Sequence, residues 1–152
     1  MKYFEDLAVG QVLDLGRYDV SEQEILEFGR RFDPQAIHTD PAAARESFFG
    51  GLIASGWHSC SIMMRLLADT IARERLASTG SPGIEACKWL VPVRPGDCLQ
   101  GRLEILEARR SRSRPFGIVR SRNTLTNQKG EEVLEMMGMG LYALRPGTED
   151  GA

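Results

Sequence analysis

The sequence predicts an α+β fold in which one long central helix is wrapped by a curved antiparallel β-sheet. Up to about Ala77, apolar side chains recur at spacings of three to five residues, as in a helix buried on one side: Ile62, Met63, Leu66, Leu67 and Ile71. The second half of the chain alternates apolar and polar residues, most regularly from Leu99 to Ile105, which indicates half-buried strands. Turn sequences separate these strands, so that neighbours in sequence can pair as a meander.

The length and composition favour a single globular domain. The chain has 152 residues, of which 42% are hydrophobic and 26% are charged, as is usual for one folded domain. We expect this domain to span residues 1–146 and to be followed by a flexible polar tail over residues 147–152.

Charge and cysteine content argue against several classes of protein. The net charge is −2, so a nucleic-acid binder is not expected. The arginine-rich run from Arg109 to Arg114 is either a solvated turn or a basic patch that meets the phosphates of a carrier such as coenzyme A. Three cysteines without metal-ligand spacing predict neither a disulfide framework nor a zinc site. With no signal peptide or membrane-spanning run, we expect a cytoplasmic protein.

The first half of the chain reads as a strand followed by helices. A short strand is predicted from Val12 to Val20. Ser21 and Glu24 then form a capping box, and apolar residues at helical spacing continue the helix to Phe32. Pro34 disfavours helical geometry at Asp33, so the helix should end there. Asp40 followed by proline starts another short helix.

The second half is predicted to be mostly strand. The segment Thr79–Pro82 looks like a breaker that ends the long helix. Strands are then predicted over residues 85–93, 99–105, 116–126 and 133–144, with turns at residues 94–97 and 127–130. The last strand is nearly all apolar, which predicts that it is covered on both faces.

Asp33 and His38 are the best candidates for acid/base chemistry. They stand five residues apart across a proline, in a loop, so that their side chains can converge on one point. A carboxylate and an imidazole that both reach one water can remove its proton and return a proton to a substrate carbon. The alternatives are a turn aspartate that caps local N–H groups and a structural histidine.

The glycine-rich segment from Ser47 to His58 is the second candidate feature. Gly51 permits close approach of the backbone to a ligand, and Ser55 can cap the long helix. Gly56 offers a backbone N–H at the positive end of that helix, which could hold a carbonyl oxygen as it becomes negative. Trp57 is interpreted as a wall of the pocket or as a residue that packs in the core, and His58 as a structural residue.

Three segments together resemble the MaoC-like dehydratases, the family that includes the (R)-specific enoyl-CoA hydratases of the hydratase 2 type. Asp33-Pro-Gln-Ala-Ile-His38 resembles the catalytic signature of that family, and Phe49-Gly-Gly-Leu-Ile-Ala-Ser-Gly56 resembles the loop that enters the central helix of its hot-dog fold. Trp89-Leu-Val-Pro-Val-Arg-Pro-Gly-Asp97 resembles the strand and turn that follow. The three segments follow one another in the same order as in that family, and the resemblance covers nearly the whole chain.

This resemblance implies a single hot-dog domain that forms a homodimer or a dimer of dimers. It implies an acyl-CoA thioester as the substrate, with no metal and no cofactor beyond the coenzyme A of the substrate. By position, Asp33 and His38 would add water to a trans-2-enoyl-CoA while the Gly56 N–H holds the thioester oxygen, with Ser55, Gly51 and Trp57 lining the substrate site. Gln35 stands where many short-chain hydratases have Asn, so the acyl specificity of those enzymes does not carry over.

Two other functions fit the same fold. An acyl-CoA thioesterase would use a carboxylate on the long helix, and the candidate is Asp69, which is too far along the helix to meet its start. A non-catalytic acyl-CoA-binding module would keep the fold without the reaction. The intact Asp33/His38 pair argues against this second alternative.

Overall fold

The computed structural model describes residues 1–148. It shows the predicted helices and strands in the expected order, with one additional short helix at Ala36–Thr39. A 3₁₀ turn at Phe4–Asp6 precedes nine regular elements. These elements are β1 (Val12–Asp19), α1 (Glu22–Phe32), α2 (Ala36–Thr39), α3 (Pro41–Arg45), α4 (Gly56–Glu74), β2 (Ser78–Trp89), β3 (Cys98–Arg110), β4 (Phe116–Thr126) and β5 (Glu132–Ala143).

The five strands form one antiparallel sheet in the order β1-β3-β4-β5-β2. A register shift occurs in each of the four strand pairs, and such irregularities allow the sheet to bend. The inner face of α4 packs into the core through Ile62, Met63 and Leu66. The predicted α+β class, with a long helix against a curved antiparallel sheet, is therefore confirmed.

The local signals that place α1 and α3 act as predicted. The Ser21 hydroxyl accepts a hydrogen bond from the Glu24 N–H at 3.1 Å, and the Ser21 N–H donates to the Glu24 carboxylate at 3.2 Å. Helix α1 ends at Phe32. The Asp40 side chain accepts hydrogen bonds from the N–H groups of Ala42 and Ala43 in the first turn of α3. These caps fix the segment between α1 and α3 that carries Asp33 and His38. The expectation that His38 lies in a loop was wrong, because residues Ala36–Thr39 form the short helix α2.

The predicted boundary between α4 and β2 was wrong. Helix α4 ends at Glu74, three residues before Ala77, because Arg75 adopts a left-handed conformation (φ 55°). Residues Thr79–Pro82 do not mark the end of the helix but belong to β2. Register shifts accommodate Gly80 and Pro82 there, at the edge of the sheet. Consequently β2 starts earlier than predicted and ends at Trp89 instead of Val93.

Helix α4 packs against the end of β2 near the start of the helix. The Sγ atoms of Cys60 on α4 and Cys87 on β2 lie 3.5 Å apart as free thiols. Burial of this contact raises the pKa of the Cys60 thiol to about 12. The thiols pack as small apolar groups between helix and strand.

The C-terminal end of the described chain is held by hydrogen bonds. The carbonyl of Thr148 accepts a hydrogen bond from the Arg110 guanidinium at 2.8 Å, and the Arg145 guanidinium pairs with Asp6 at 2.6 Å. Thr148 is thus held against the domain, while the domain bounds of 1–146 and the flexibility of residues 147–152 stay predictions. The rest of that tail, residues 149–152, lies outside the described residues.

Candidate active site

Asp33 directly follows the end of α1, and His38 lies on the short helix α2 that comes next. The Asp33 N–H still bonds the Gly29 carbonyl at 2.9 Å, and helix α2 then carries His38 back against α1. A side chain at Gly29 would begin only 2.8 Å from the His38 carbonyl oxygen. Glycine at this position therefore allows α2 to lie close enough to α1 to bring His38 to Asp33.

The two side chains meet directly. His38 Nε2 lies 3.2 Å from Asp33 Oδ2, and the His38 residue is 4% exposed. The other ring nitrogen, Nδ1, lies 2.8 Å from the carbonyl oxygen of Ile53. A carbonyl can only accept, so Nδ1 must carry a proton, and Nε2 is the nitrogen that can gain or lose one. The fold thus fixes the orientation of the imidazole toward the carboxylate.

The Asp33 carboxylate receives a hydrogen bond on each oxygen. Gln35 donates to Oδ1 at 2.8 Å, and the Ser55 hydroxyl donates to Oδ2 at 2.7 Å. The Gln35 hydrogen bond, then the Ser55 hydrogen bond and the charge of His38, lower the pKa of Asp33 below the usual aspartate value, although burial opposes them. Asp33 is therefore held as a carboxylate that points at His38.

Ser55 acts differently from the sequence-based expectation. Its side chain makes no capping hydrogen bond at the start of α4, and it is 1% exposed. Because its hydroxyl is directed to Asp33, Ser55 positions the carboxylate and does not line the cavity. No local sequence signal could reveal this contact, which joins residues 22 positions apart.

The variant Ser55→Ala is expected to shift the pH dependence of activity. Loss of a hydrogen bond to the carboxylate raises the pKa of Asp33, so the ionised form is lost at a higher pH as the medium is acidified. The acid limb of the kcat/KM profile should move upward, and the rate at neutral pH should fall about tenfold, as for a lost charged hydrogen bond. Ser61→Ala, which removes an exposed hydroxyl bonded to the Trp57 carbonyl, is the matched control. An unshifted acid limb in Ser55→Ala would contradict this role.

Gly56 is confined by the indole of Trp89. The Trp89 Nε1–H donates to the Gly56 carbonyl at 2.8 Å, and a Cβ on Gly56 would lie 2.4–2.6 Å from three ring atoms. Among residues 1–148 the Gly56 N–H finds no hydrogen-bond acceptor. An available N–H at the start of a 19-residue helix is suited to stabilise a developing negative charge. Trp89 as the partner of Gly56 was not predicted.

The variant Gly56→Ala is expected to lower both activity and stability. The new methyl group must push the Trp89 ring aside, which breaks the indole hydrogen bond and disturbs the N–H beside it. We expect a loss of about a hundredfold in kcat, the scale of losing one oxyanion donor, and a lower Tm. The double variant Gly56→Ala/Trp89→Ala relieves the overlap and should recover more of the Tm than of the rate. Because alanine keeps the N–H, a wild-type rate together with a wild-type Tm in Gly56→Ala would contradict the predicted displacement of this N–H by the crowding against Trp89.

The residues converge on one open cavity of about 650 Å³. One part of its wall is polar and contains Asp33, Gln35, His38 and Arg94; most of the rest is apolar, with Phe48, Phe49, Ile53, Trp57, Trp89 and Leu90. Trp57 lines the cavity as expected, edge-to-face with Trp89 at 5.4 Å between ring centroids. Gly51 does not line it: a Cβ there would lie 3.3 Å from Arg94. A cavity of this size and mixed lining is suited to a small ligand.

The remaining candidates lie outside this cavity. His58 is buried and stacks on Phe28 with ring centroids 4.8 Å apart, and its Nδ1 has no partner within residues 1–148. Burial lowers the pKa of His58, so the ring is neutral at neutral pH. Asp69 pairs with Arg65 at 2.8 Å on the exposed face of α4. Neither residue can therefore join the Asp33/His38 pair.

Neither a cluster of metal ligands nor a membrane-spanning helix occurs among the described residues. Over residues 1–148, no three side chains of His, Cys, Asp or Glu are grouped as a metal ion would require. In the same range, no helix is both long and apolar enough to cross a bilayer.

Comparison with known proteins gives consistent matches over this same fold. Residues 6–127 match the MaoC like domain. The MaoC-like dehydratase from Rhodospirillum rubrum is 39% identical and has a TM-score of 0.87, over 96% of this chain and 99% of that protein. The R-hydratase PhaJ1 from Pseudomonas aeruginosa is 23% identical with a TM-score of 0.72, over 94% of this chain and 86% of that one.

A third structure supplies the name of the fold. A conserved hypothetical protein from Mycobacterium tuberculosis, which has a double hot-dog fold, superposes with a TM-score of 0.77 at 21% identity. The match covers 99% of this chain and 47% of that protein. The expected fold and resemblance are both confirmed: the chain belongs to the MaoC-like dehydratase family and has a hot-dog fold.

Proposed function

We propose that the protein catalyses (R)-specific hydration of a trans-2-enoyl-CoA to a 3-hydroxyacyl-CoA, or the reverse dehydration. The observation that carries this proposal is the contact of 3.2 Å between His38 Nε2 and Asp33 Oδ2 at the wall of the cavity. The family match and the structural likeness to an R-hydratase support the reaction class and the stereochemistry. Neither Asp69 nor another carboxylate of α4 faces the cavity, which disfavours the thioesterase alternative.

In the proposed reaction, one water binds between Asp33 and His38. Hydration forms one C–O bond at C3 and one C–H bond at C2, so one proton must leave the water and one must reach C2. Both transfers pass through the pair, because Asp33 is held ionised and His38 exchanges protons only at Nε2. Their direct contact lets a proton return between them after each turnover. Because one pair serves both carbons, the two additions occur on the same face.

The Gly56 N–H would hold the thioester oxygen. Proton addition or removal at C2 places negative charge on this oxygen, and the N-terminal end of α4 carries a partial positive charge that stabilises it. Gly56 lines the cavity together with Asp33 and His38, which is the arrangement this step needs. Hydration involves no net change of oxidation state, so the proposal includes no redox cofactor. It includes no metal because Asp33 and His38 carry the proton transfers and the Gly56 N–H stabilises the charge on the oxygen. Coenzyme A enters only as part of the substrate.

We also propose that two copies of the chain pair through β2. This strand lies at the edge of the sheet, and ten of its twelve residues are exposed. Three exposed large apolar side chains lie on it or directly after it: Ile84, Trp89 and Leu90. An unpaired, apolar strand edge is a site for pairing with another chain. A homodimer formed there would border the cavity, because Trp89 lines it.

Substitution of Ile84 tests this interface. The variant Ile84→Lys places a charge in the proposed contact and is expected to shift the protein toward monomer at micromolar concentration, measured by light scattering after size-exclusion chromatography. Val12→Lys alters an exposed apolar residue on β1, the opposite edge of the sheet, and should leave the dimer intact. Dissociation by Val12→Lys alone would place the interface at β1 instead.

A substrate panel tests the proposed activity. The purified protein is incubated with crotonyl-, longer, branched and mesaconyl-type CoA thioesters, and the loss of enoyl-thioester absorbance is followed. Rapid hydration of one class, with (R) product by chiral analysis, is the expected result. If folded protein hydrates none of them but still binds acyl-CoA, the binding-module alternative is the better account.

A further inference from the structure

Arg94 is a cation without a carboxylate partner at the wall of the cavity. Three arginines among residues 1–148 are not exposed: Arg94, Arg120 and Arg122. Arg120 and Arg122 each pair with two glutamates, whereas no carboxylate of residues 1–148 lies within 4.0 Å of the Arg94 guanidinium. A half-buried charge costs free energy unless a counter-charge accompanies it. Arg94 therefore differs from the other shielded arginines in a way that fold stability does not explain.

The surrounding residues hold Arg94 in place without neutralising it. Its Nη2 donates to the carbonyl of Phe49 at 2.5 Å, and the absence of a side chain on Gly51 leaves room for Nη1. The nearest acid in sequence, Asp97, accepts hydrogen bonds from the backbone N–H of Arg94 and from Gln128. The guanidinium is thus oriented by a neutral carbonyl, and its other N–H groups remain available for a ligand.

Arg94 lies within reach of a substrate bound at the Asp33/His38 pair. The Phe49 carbonyl that holds Arg94 and the Ile53 carbonyl that holds His38 are four residues apart, at most about 14 Å of extended chain. Both Arg94 and His38 line the same cavity. One small molecule could therefore contact both residues at once.

We propose that Arg94 binds an anionic group of the substrate, either a carboxylate on the acyl chain or a phosphate of the carrier. This inference rests on the proposed function, because it assumes that a thioester occupies the cavity. A guanidinium presents a planar fork of N–H donors that matches either oxyanion. The carboxylate of Asp33, which lines the same cavity, is already engaged by His38 and by two hydrogen bonds and so does not compete for Arg94. The bound substrate would supply the counter-charge that the protein lacks.

Binding of three unreactive thioesters separates the two sources of the anion. Butyryl-CoA carries phosphates, glutaryl-CoA carries phosphates and a terminal carboxylate, and butyryl-pantetheine carries neither. Dissociation constants are measured by calorimetry for wild type, Arg94→Met and Arg94→Lys. If Arg94 binds phosphate, Arg94→Met weakens both CoA ligands about ten- to a hundredfold and spares butyryl-pantetheine. If it binds a carboxylate, the loss is confined to glutaryl-CoA. Arg94→Lys should recover part of either loss.

Three results would overturn the inference. Equal weakening of all three ligands would mean that Arg94 only shapes the loop at Phe49, and unchanged binding of all three would mean that it contacts no ligand. Wild-type protein that binds none of the ligands would also reject it. Arg102→Met, which removes an exposed arginine paired with Glu104 on β3, is the matched control. Because the readout is binding, a protein that binds but hydrates no enoyl-CoA rejects the proposed reaction alone.

Discussion

The variant Asp33→Asn is expected to lower kcat/KM for the best enoyl-CoA substrate by about 10²- to 10⁴-fold, the scale of losing a positioned acid/base group. Asparagine has nearly the shape of aspartate and can still accept the Ser55 hydrogen bond of 2.7 Å. It cannot take a proton from water, and it cannot pair electrostatically with His38. Initial rates of enoyl-thioester absorbance loss, measured at several pH values, provide the test.

The control for this variant is its fold and its ligand binding. Asp33 lies at the end of α1 and its side chain is partly exposed (19%), so the Tm should change little. Binding of butyryl-CoA should also persist, because the amide leaves the cavity wall in place. A rate within a few-fold of wild type would remove Asp33 from the mechanism.

The variant His38→Ala should cause a loss of similar size. It deletes Nε2, the one ring nitrogen free to exchange a proton, and leaves Asp33 without its partner. Since His38 is buried and bonded to the Ile53 carbonyl, the variant is also expected to be less stable. His38→Gln retains more of the side-chain volume and separates the loss of chemistry from the loss of packing. Rates are compared at a temperature well below both Tm values.

The only other histidine gives the matched comparison for His38. His58→Leu removes an imidazole of the same segment that lies outside the cavity and stacks on Phe28. It should keep the rate within a few-fold of wild type. If His58→Leu loses activity as His38→Ala does while remaining folded, the assignment of the acid/base histidine is wrong.

Those parts of the site that depend on local signals could be predicted from the sequence. The Ser21–Glu24 box, the proline after Asp33 and the Asp40 cap each act within a few residues, and together they place Asp33 and His38 correctly. The alternation from Leu99 to Ile105 likewise appears as alternating burial in β3. Such signals depend only on the conformational preferences of residues that are close together in sequence.

Other features depend on contacts between distant segments. Ser55 looked like a helix cap because serine is common there, but the folded chain brings Asp33 within 2.7 Å of its hydroxyl. Gly56 was singled out for its N–H at the start of the helix, but the Trp89 ring 33 positions away, which requires glycine there, could not be foreseen. The segment Thr79–Pro82 resembled a helix breaker, yet an edge strand tolerates its glycine and proline through bulges. Local preference was overridden in each case by tertiary packing.

The stereochemical course of hydration in D₂O tests the central claim most directly. The enoyl-CoA that reacts fastest is hydrated by the wild-type protein, and the configuration at C2 and C3 of the product is determined by NMR. A single water held by Asp33 and His38 predicts one deuterium at C2, on the same face as the new hydroxyl group, and (R) configuration at C3. Addition to opposite faces, a mixture at C2, or no hydration by folded protein would contradict the account.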